Sequence, residues 1–281
     1  MSLWASPVVV INKKDGTKRF CVDYRRLNKI IKLDKYPLPR IDELLESFRT
    51  ASWFTSLDLA SGFFQLEVDE KDKEKTAFIT HKGLYEFNVM PFGLCNAPAT
   101  FQHLMNYVLQ EFLGKFAAVY IDDIIIYSKT FEQHIDHIQQ VFDALRKACL
   151  KIKLKKGYFC FPNIAFLGHI VGRNGIAPDP AKIEKVKNFP RPTNLKELRG
   201  ALGLFSYYRK FVKDFSKIAK PLLDLLKKDA PFSWQDKQQA AFDYLKKRLI
   251  EAPILQYLTS ISLLFSLQML PETALEQYFH N

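Results

Sequence analysis

Ala117-Ala118-Val119-Tyr120-Ile121-Asp122-Asp123-Ile124-Ile125-Ile126-Tyr127 is the stretch on which the fold turns. Its β-branched and aromatic residues favour extended chain on both sides of the acid pair. That predicts two short strands with Asp122 and Asp123 at a hairpin tip. Burying an uncompensated carboxylate is costly, so acids in such a run call for a cation partner. An exposed turn whose acids merely cap a hairpin is the other reading, and it would suit an isolated Asp-Asp better. The surrounding chain decides between them.

The chain has 281 residues, 48% of them hydrophobic, with 24 Phe and 12 Tyr. That is ample for a globular core and too long for one ordinary compact domain, so two or three subdomains are expected. A count of 41 Lys and Arg against 30 Asp and Glu leaves a net charge of +11. Such an excess fits a polyanionic partner, because Lys and Arg gain free energy by releasing counterions from nucleic acid. Residues 146–156 hold six basic side chains and no acid, and Lys246-Lys247-Arg248 forms another cluster. A solvated helix face explains either cluster taken singly. Cys21, Cys95, Cys149 and Cys160 are scattered without a Cys-x-x-Cys pair, which favours neither a disulfide framework nor a zinc site and fits a reducing compartment. His134 and His137 have no second ligand pair, so they read as an exposed helix face. No signal peptide is visible, and the apolar patch at residues 261–267 is too short to span a bilayer, so no membrane partner is expected.

Along the chain, Pro7-Val8-Val9-Val10-Ile11 and Arg19-Phe20-Cys21-Val22-Asp23-Tyr24 flank a turn at Lys13-Lys14-Asp15-Gly16 and predict a hairpin. Residues 41–48 read as a short helix, residues 53–59 as a strand that brings Asp58 to its end, and residues 76–80 and 85–89 as a strand pair. Pro98 opens a helix to residue 112 with Phe101, Met105, Val108 and Phe112 as its stripe. Residues 131–150 are amphipathic, with Phe131, Ile135, Ile138, Phe142, Leu145 and Cys149 at core spacing. Residues 166–171 read as one strand. Past Ile176 the composition shifts, and helices are expected at residues 181–188, 195–211, 218–228 and 235–250. The expected fold class is α+β, a mixed body followed by a mainly helical, basic module.

Acids at a strand end and a hairpin tip are what a two-metal site needs, where two divalent ions roughly 3.5–4 Å apart serve an attacking and a leaving oxygen. Carboxylate oxygens suit Mg²⁺, which shares its octahedral shell with substrate phosphates. Further stretches then fall in a specific order: Trp4-Ala5-Ser6-Pro7, Val22-Asp23-Tyr24-Arg25-Arg26-Leu27-Asn28, Ser56-Leu57-Asp58-Leu59-Ala60-Ser61-Gly62, Met90-Pro91-Phe92-Gly93-Leu94, Tyr120-Ile121-Asp122-Asp123, Phe166-Leu167-Gly168-His169, and Leu198-Arg199-Gly200 through Tyr207-Tyr208-Arg209-Lys210-Phe211. From about residue 2 to 257 the chain resembles the reverse transcriptase of a gypsy-type long-terminal-repeat retrotransposon Pol polyprotein.

That resemblance implies a polymerase right-hand fold. Residues 1–175 would be fingers and palm with an antiparallel sheet, and residues 176–257 a helical thumb and the start of a connection to an RNase H domain. It implies an RNA-directed DNA polymerase that uses two Mg²⁺ ions, with Mn²⁺ as a substitute. Asp58, Asp122 and Asp123 would be the catalytic, metal-binding acids, and the Leu59 carbonyl would also touch metal. Lys13, Lys14, Arg19 and Phe92 would contact the nucleotide, and Phe63 would be the ring that excludes a ribose 2′-hydroxyl. Phe166, Leu167, Gly168 and His169 would form the primer grip. On residue type alone, Phe63 would be core packing and the basic residues a solvated turn. Implied partners are an RNA or DNA template with its primer and deoxynucleoside triphosphates, in the cytoplasm, in virus-like particles or in the nucleus. Compared with the family, the N-terminal part of the fingers is expected to be missing. Residues 258–281 fit no family pattern. Codons for Gln268-Met269-Leu270-Pro271 can read Thr-Asp-Ala-Ser two bases on, so the tail is expected to be an out-of-frame RNase H start. A catalytically inactive nucleic-acid-binding remnant of a decayed element stays open as a different class. An RNA-templated RNA polymerase is disfavoured by the Phe63 ring.

Overall fold

Strand β7 (Asp123–Ser128) is apolar at consecutive positions because it is covered on both faces. It lies inside a four-stranded antiparallel sheet of order β6–β7–β3–β8, with β6 (Ala117–Tyr120), β3 (Trp53–Asp58) and β8 (Tyr158–Phe161). The structure is a computed structural model and describes residues 2–12, 16, 18–228 and 231–257. Side chains alternate across this sheet. Leu57, Ile124, Ile126, Ala117 and Val119 share one buried cluster with Phe101 and Met105 of α4 (Ala97–Val108) and Val141 and Leu145 of α5 (Phe131–Lys147). On the other face Phe54 and Tyr127 set their rings 6.0 and 5.1 Å from Phe48, which caps α2 (Ile41–Ser47).

A second sheet of the same unit runs β2–β1–β4–β5, with β1 (Ser6–Asn12), β2 (Lys18–Val22), β4 (Phe78–Thr80) and β5 (Gly83–Tyr85). The expected N-terminal hairpin is present, with Val8 opposite Val22 and Ile11 opposite Arg19. The second expected strand pair is shorter than predicted: Phe78 faces Tyr85 and Thr80 faces Gly83. The short helices α1 (Arg25–Asn28) and α3 (Glu70–Lys73) complete this unit.

The chain divides into two compact units at Ile164/Ala165, eleven positions before the expected boundary at residue 175. Strand β9 (Asn163–Phe166) carries the backbone from one to the next. The single strand expected at residues 166–171 is instead broken at Leu167-Gly168, both with positive φ, before β10 (His169–Gly172). β10 pairs antiparallel with β11 (Gly175–Pro178). Then come α6 (Pro180–Lys187), α7 (Leu195–Tyr207), α8 (Phe215–Asp224) and α9 (Asp236–Ile250). Asp179 and Asn194 cap α6 and α7 by accepting backbone N–H bonds, as short oxygen-bearing residues do. Phe205, Phe242 and Trp234 form the aromatic centre of this unit.

Two readings of α5 need correction. His134 is fully buried, not on an exposed face. Its Nε2 lies 2.7 Å from Thr55 Oγ1 and its Nδ1 lies 2.9 Å from Ser128 Oγ. Phe131, Ile135 and Cys149 of the expected stripe are exposed, while Leu145 is buried as expected and Ile138 and Phe142 pack against the same core, which His134 and Val141 join. Apolar periodicity located the helix correctly. It missed His134 because polar Thr55 and Ser128 on the sheet select a polar partner. No helix among the described residues is long and apolar enough to cross a membrane.

Candidate active site

Asp58 is the last residue of β3, and Asp123 is the first of β7. Antiparallel register sets them directly opposite each other. Residues so paired have Cβ atoms about 4.5–5.5 Å apart, and like charges there repel. Asp122 occupies the two-residue turn between β6 and β7, where Tyr120 pairs with Asp123. The hairpin tip therefore brings together the three acids that sequence reading singled out.

The electrostatics follow from that crowding. Burial holds the Asp122 carboxyl up at about 6, with Asp123 and Asp58 adding to the rise and Lys156 opposing it. Burial and then Asp58 also raise Asp123. Asp122 Oδ1 is buried without a hydrogen-bond partner among the described residues. Lys156 Nζ sits 2.6 Å from Asp58 Oδ2, the one cation drawn into the group among the described residues. Among the described residues, no group of three His, Cys, Asp or Glu side chains is arranged to hold a metal ion as it stands. An all-carboxylate site with an unsatisfied oxygen nonetheless suits Mg²⁺, which keeps waters and completes its shell from substrate phosphates. Asp58, Asp122 and Asp123 are the side chains that would hold such an ion.

The turn itself is strained. Ile121 has φ of 54°, a left-handed conformation that β-branched residues rarely adopt. Gln102 on α4, fully buried, holds it: its Oε1 accepts the Ile121 N–H at 2.7 Å. Its Nε2 donates to Asn106 Oδ1 at 2.8 Å and to the Val119 carbonyl at 3.3 Å. Sequence reading missed Gln102. The available signal was a polar residue beside Phe101 on a helix face otherwise facing the core. Gly62 supplies the space: a Cβ there would come 2.5 Å from Asp122 Oδ1 and 2.8 Å from the Phe101 ring.

Around the acids, Leu59 pairs with Ile152 in an isolated bridge, and its side chain is in the core. Phe63 is 8% exposed, with its ring 5.1 Å from Phe92 and 5.4 Å from Phe101. Phe92 remains partly exposed. Lys13, Lys14 and residues 258–281 lie outside the described residues, and for Arg19 only the backbone is described. Phe166, Leu167, Gly168 and His169 belong to the second unit, where they form the turn between β9 and β10.

An antiparallel sheet carrying paired acids at its strand ends, with helices packed on both faces, defines a palm of the polymerase right-hand class. The comparisons agree. A solved structure of a foamy viral protease-reverse transcriptase in complex with double-stranded DNA superposes with TM-score 0.84 at 28% identity, covering 91% of this chain and 45% of that one. Another, with an RNA/DNA hybrid, gives 0.79 at 27% identity over 91% and 34%. Residues 11–171 match the family described as reverse transcriptase (RNA-dependent DNA polymerase). The chain belongs to the reverse transcriptase family. It is 45% identical over 261 residues to the retrovirus-related Pol polyprotein from transposon 297 of Drosophila melanogaster, covering 91% of this chain and 25% of the relative. It is 38% identical over 269 residues to the transposon Tf2-3 polyprotein of Schizosaccharomyces pombe, covering 96% and 20%. These are gypsy-type long-terminal-repeat elements. The chain spans about a quarter or less of the curated relatives it matches.

Proposed function

We propose that this chain is the polymerase portion of a retrotransposon Pol protein and extends a primer with deoxynucleotides on an RNA or DNA template. In each step the primer 3′-oxygen bonds to the α-phosphorus, the bond from that phosphorus to the β-bridging oxygen breaks, and pyrophosphate leaves as the 3′-hydroxyl proton passes to solvent. Two divalent ions, when bound, would supply charge neutralisation of the phosphates and a more acidic 3′-hydroxyl. The chain's own part is positional. Asp58 and Asp123 provide opposed carboxylates from paired strands, and Asp122 offers an unsatisfied oxygen from the turn. Phe63, held by Phe92 and Phe101, is the candidate ring against a 2′-hydroxyl. Leu167-Gly168 is the candidate primer grip, and the basic helical unit would follow the duplex through phosphate contacts.

The observation that carries this reading is Asp58 directly opposite Asp123, with Asp122 in the adjoining turn. Primer extension on poly(rA)/oligo(dT) with Mg²⁺, beside Asp122→Asn, tests it. Extension by the parent chain that vanishes in the variant supports it. Tight duplex binding with no extension by the parent chain would instead indicate an inactive nucleic-acid-binding remnant.

A further inference from the structure

The turn at Leu167-Gly168 is tied down by two adjacent tyrosines. Tyr207 ends α7 and Tyr208 caps it. The Tyr207 hydroxyl donates to the Leu167 carbonyl at 2.5 Å, and the Tyr208 hydroxyl donates to the Gly168 carbonyl at 2.9 Å. Two successive side chains thus hold two successive carbonyls of a turn 40 residues away in sequence. The turn is one that a free chain would relax: Leu167 has φ of 45° and Gly168 of 74°. A left-handed leucine is disfavoured by the contact of its Cβ with the following carbonyl oxygen. The space between is filled by His169, 1% exposed, with Nδ1 3.0 Å from the Leu167 oxygen. Its ring centroid lies 5.4 Å from Tyr207, 5.5 Å from Tyr208 and 5.9 Å from Phe211. The Gly168 carbonyl also accepts the Asp179 N–H at 3.0 Å.

We infer that Tyr207 and Tyr208 are positioning residues that set the backbone of the Leu167-Gly168 turn for the terminal nucleotide of the primer. The inference rests on the primer-grip reading of that turn. A carbonyl and the N–H that follows it share one rigid plane, so anchoring two carbonyls fixes the aim of two peptide units. Gly168 is needed here for space as well as for its positive φ: a Cβ would stand 3.0 Å from the Tyr208 hydroxyl. The two tyrosines act through the turn and not on the reacting atoms, so their loss should appear in primer use and not in the chemical step.

Tyr207→Phe, Tyr208→Phe and the double variant keep the rings around His169 and remove only the hydroxyls. With a 2-aminopurine at the primer 3′ terminus, fluorescence reports placement of the terminal base without turnover, and extension kinetics add a KM and a kcat. The expected result is a rise of about fivefold in primer KM for each hydroxyl lost, the equivalent of one neutral hydrogen bond. The kcat should stay within about twofold, and the terminal 2-aminopurine signal of the double variant should shift. Gly168→Ala separates the two levels of the claim. If Gly168→Ala shifts the signal and the double tyrosine variant does not, the tyrosines are structural only and the inference is overturned. If neither shifts it, the turn is not a primer grip, and both readings fall. A fall in urea midpoint with an unchanged primer signal likewise counts against a positioning role.

Discussion

Of the six non-glycine residues with positive φ among the described residues, Ile121 beside the acids and Leu167 before Gly168 sit one in each unit, each in a turn braced from a distant helix. Their braces are opposite in kind. At the acid turn a buried amide, Gln102, accepts a backbone N–H. At the other, two phenols donate to backbone carbonyls. The surroundings differ too. Three carboxylates crowd the first turn, where burial lifts Asp122 to about 6, while the second is wrapped in aromatic rings. The acid turn therefore stores repulsion that a cation would relieve. The aromatic turn stores only backbone strain. Hydrogen bonds hold the geometry in both, and both carry a backbone cost, to which the first adds electrostatic repulsion.

The largest test of that contrast is to remove a charge. Asp58→Asn, Asp122→Asn or Asp123→Asn should lower primer extension by more than the roughly hundredfold that loss of an outer-shell partner of a metal costs. Duplex binding should survive, because it draws on basic residues elsewhere. Metal-free Asp122→Asn should also melt at a higher temperature than the parent, since the charge on a half-buried carboxylate with one unpartnered oxygen is gone. Near-normal extension in any of the three would remove the acids from the chemistry.

Next in size is the brace. Gln102→Leu leaves the Ile121 N–H without its acceptor, and stability should fall by about 1–3 kcal/mol. A lower kcat with little change in duplex affinity is expected with it. Gln102→Glu keeps the acceptor and should lie between. Equal kcat in Gln102→Leu and the parent would show that the turn holds its shape unaided.

Acid should weaken the palm through His134. Burial holds its imidazole down at about 4, with His137 adding to the effect, against about 6.5 when unfolded. As pH falls, the unfolded chain takes up this proton first. The stability linked to His134 is therefore complete above about pH 6.5 and is lost as pH falls from there through about 4. Urea midpoints should decline across that window, and His134→Gln should flatten the decline. An unchanged slope in the variant would assign the loss to other groups.

The smallest effect belongs to Lys156. Its pair with Asp58 is short but open to water, with the lysine side chain 57% exposed. Such pairs are worth up to about 1 kcal/mol, so Lys156→Gln should barely move metal-free stability, and less still at high salt. A drop of several kcal/mol would mean that this lysine, more than Gln102, holds the site together.

Much of the site was legible because its signals are local. The run from Ala117 to Tyr127 announced strands around an acid pair by composition alone, and the strand read at residues 53–59 brought Asp58 to its end, with its role given by the resemblance. The helices of the second unit were found by periodicity to within a few residues of α6, α7, α8 and α9. Local pattern failed where polar residues are buried. His134 looked like surface, and Gln102 went unnoticed among apolar neighbours, because polarity predicts exposure until a partner is known. The break at Leu167-Gly168 was hidden for another reason. Phe166 to Val171 has ordinary strand composition, and its turn is held from Tyr207 and Tyr208.

The sequence by itself determined which segments are strand or helix, which side chains could bind a cation, and the family, since each depends on residues close together or in fixed order. Only tertiary structure decided that Asp58 stands opposite Asp123, that Gln102 holds Ile121, and that two tyrosines hold the Leu167-Gly168 turn. These contacts join residues from 19 to 65 positions apart. Their existence depends on strand register and helix placement, which are set by burying the whole apolar surface at once and not by any local pattern.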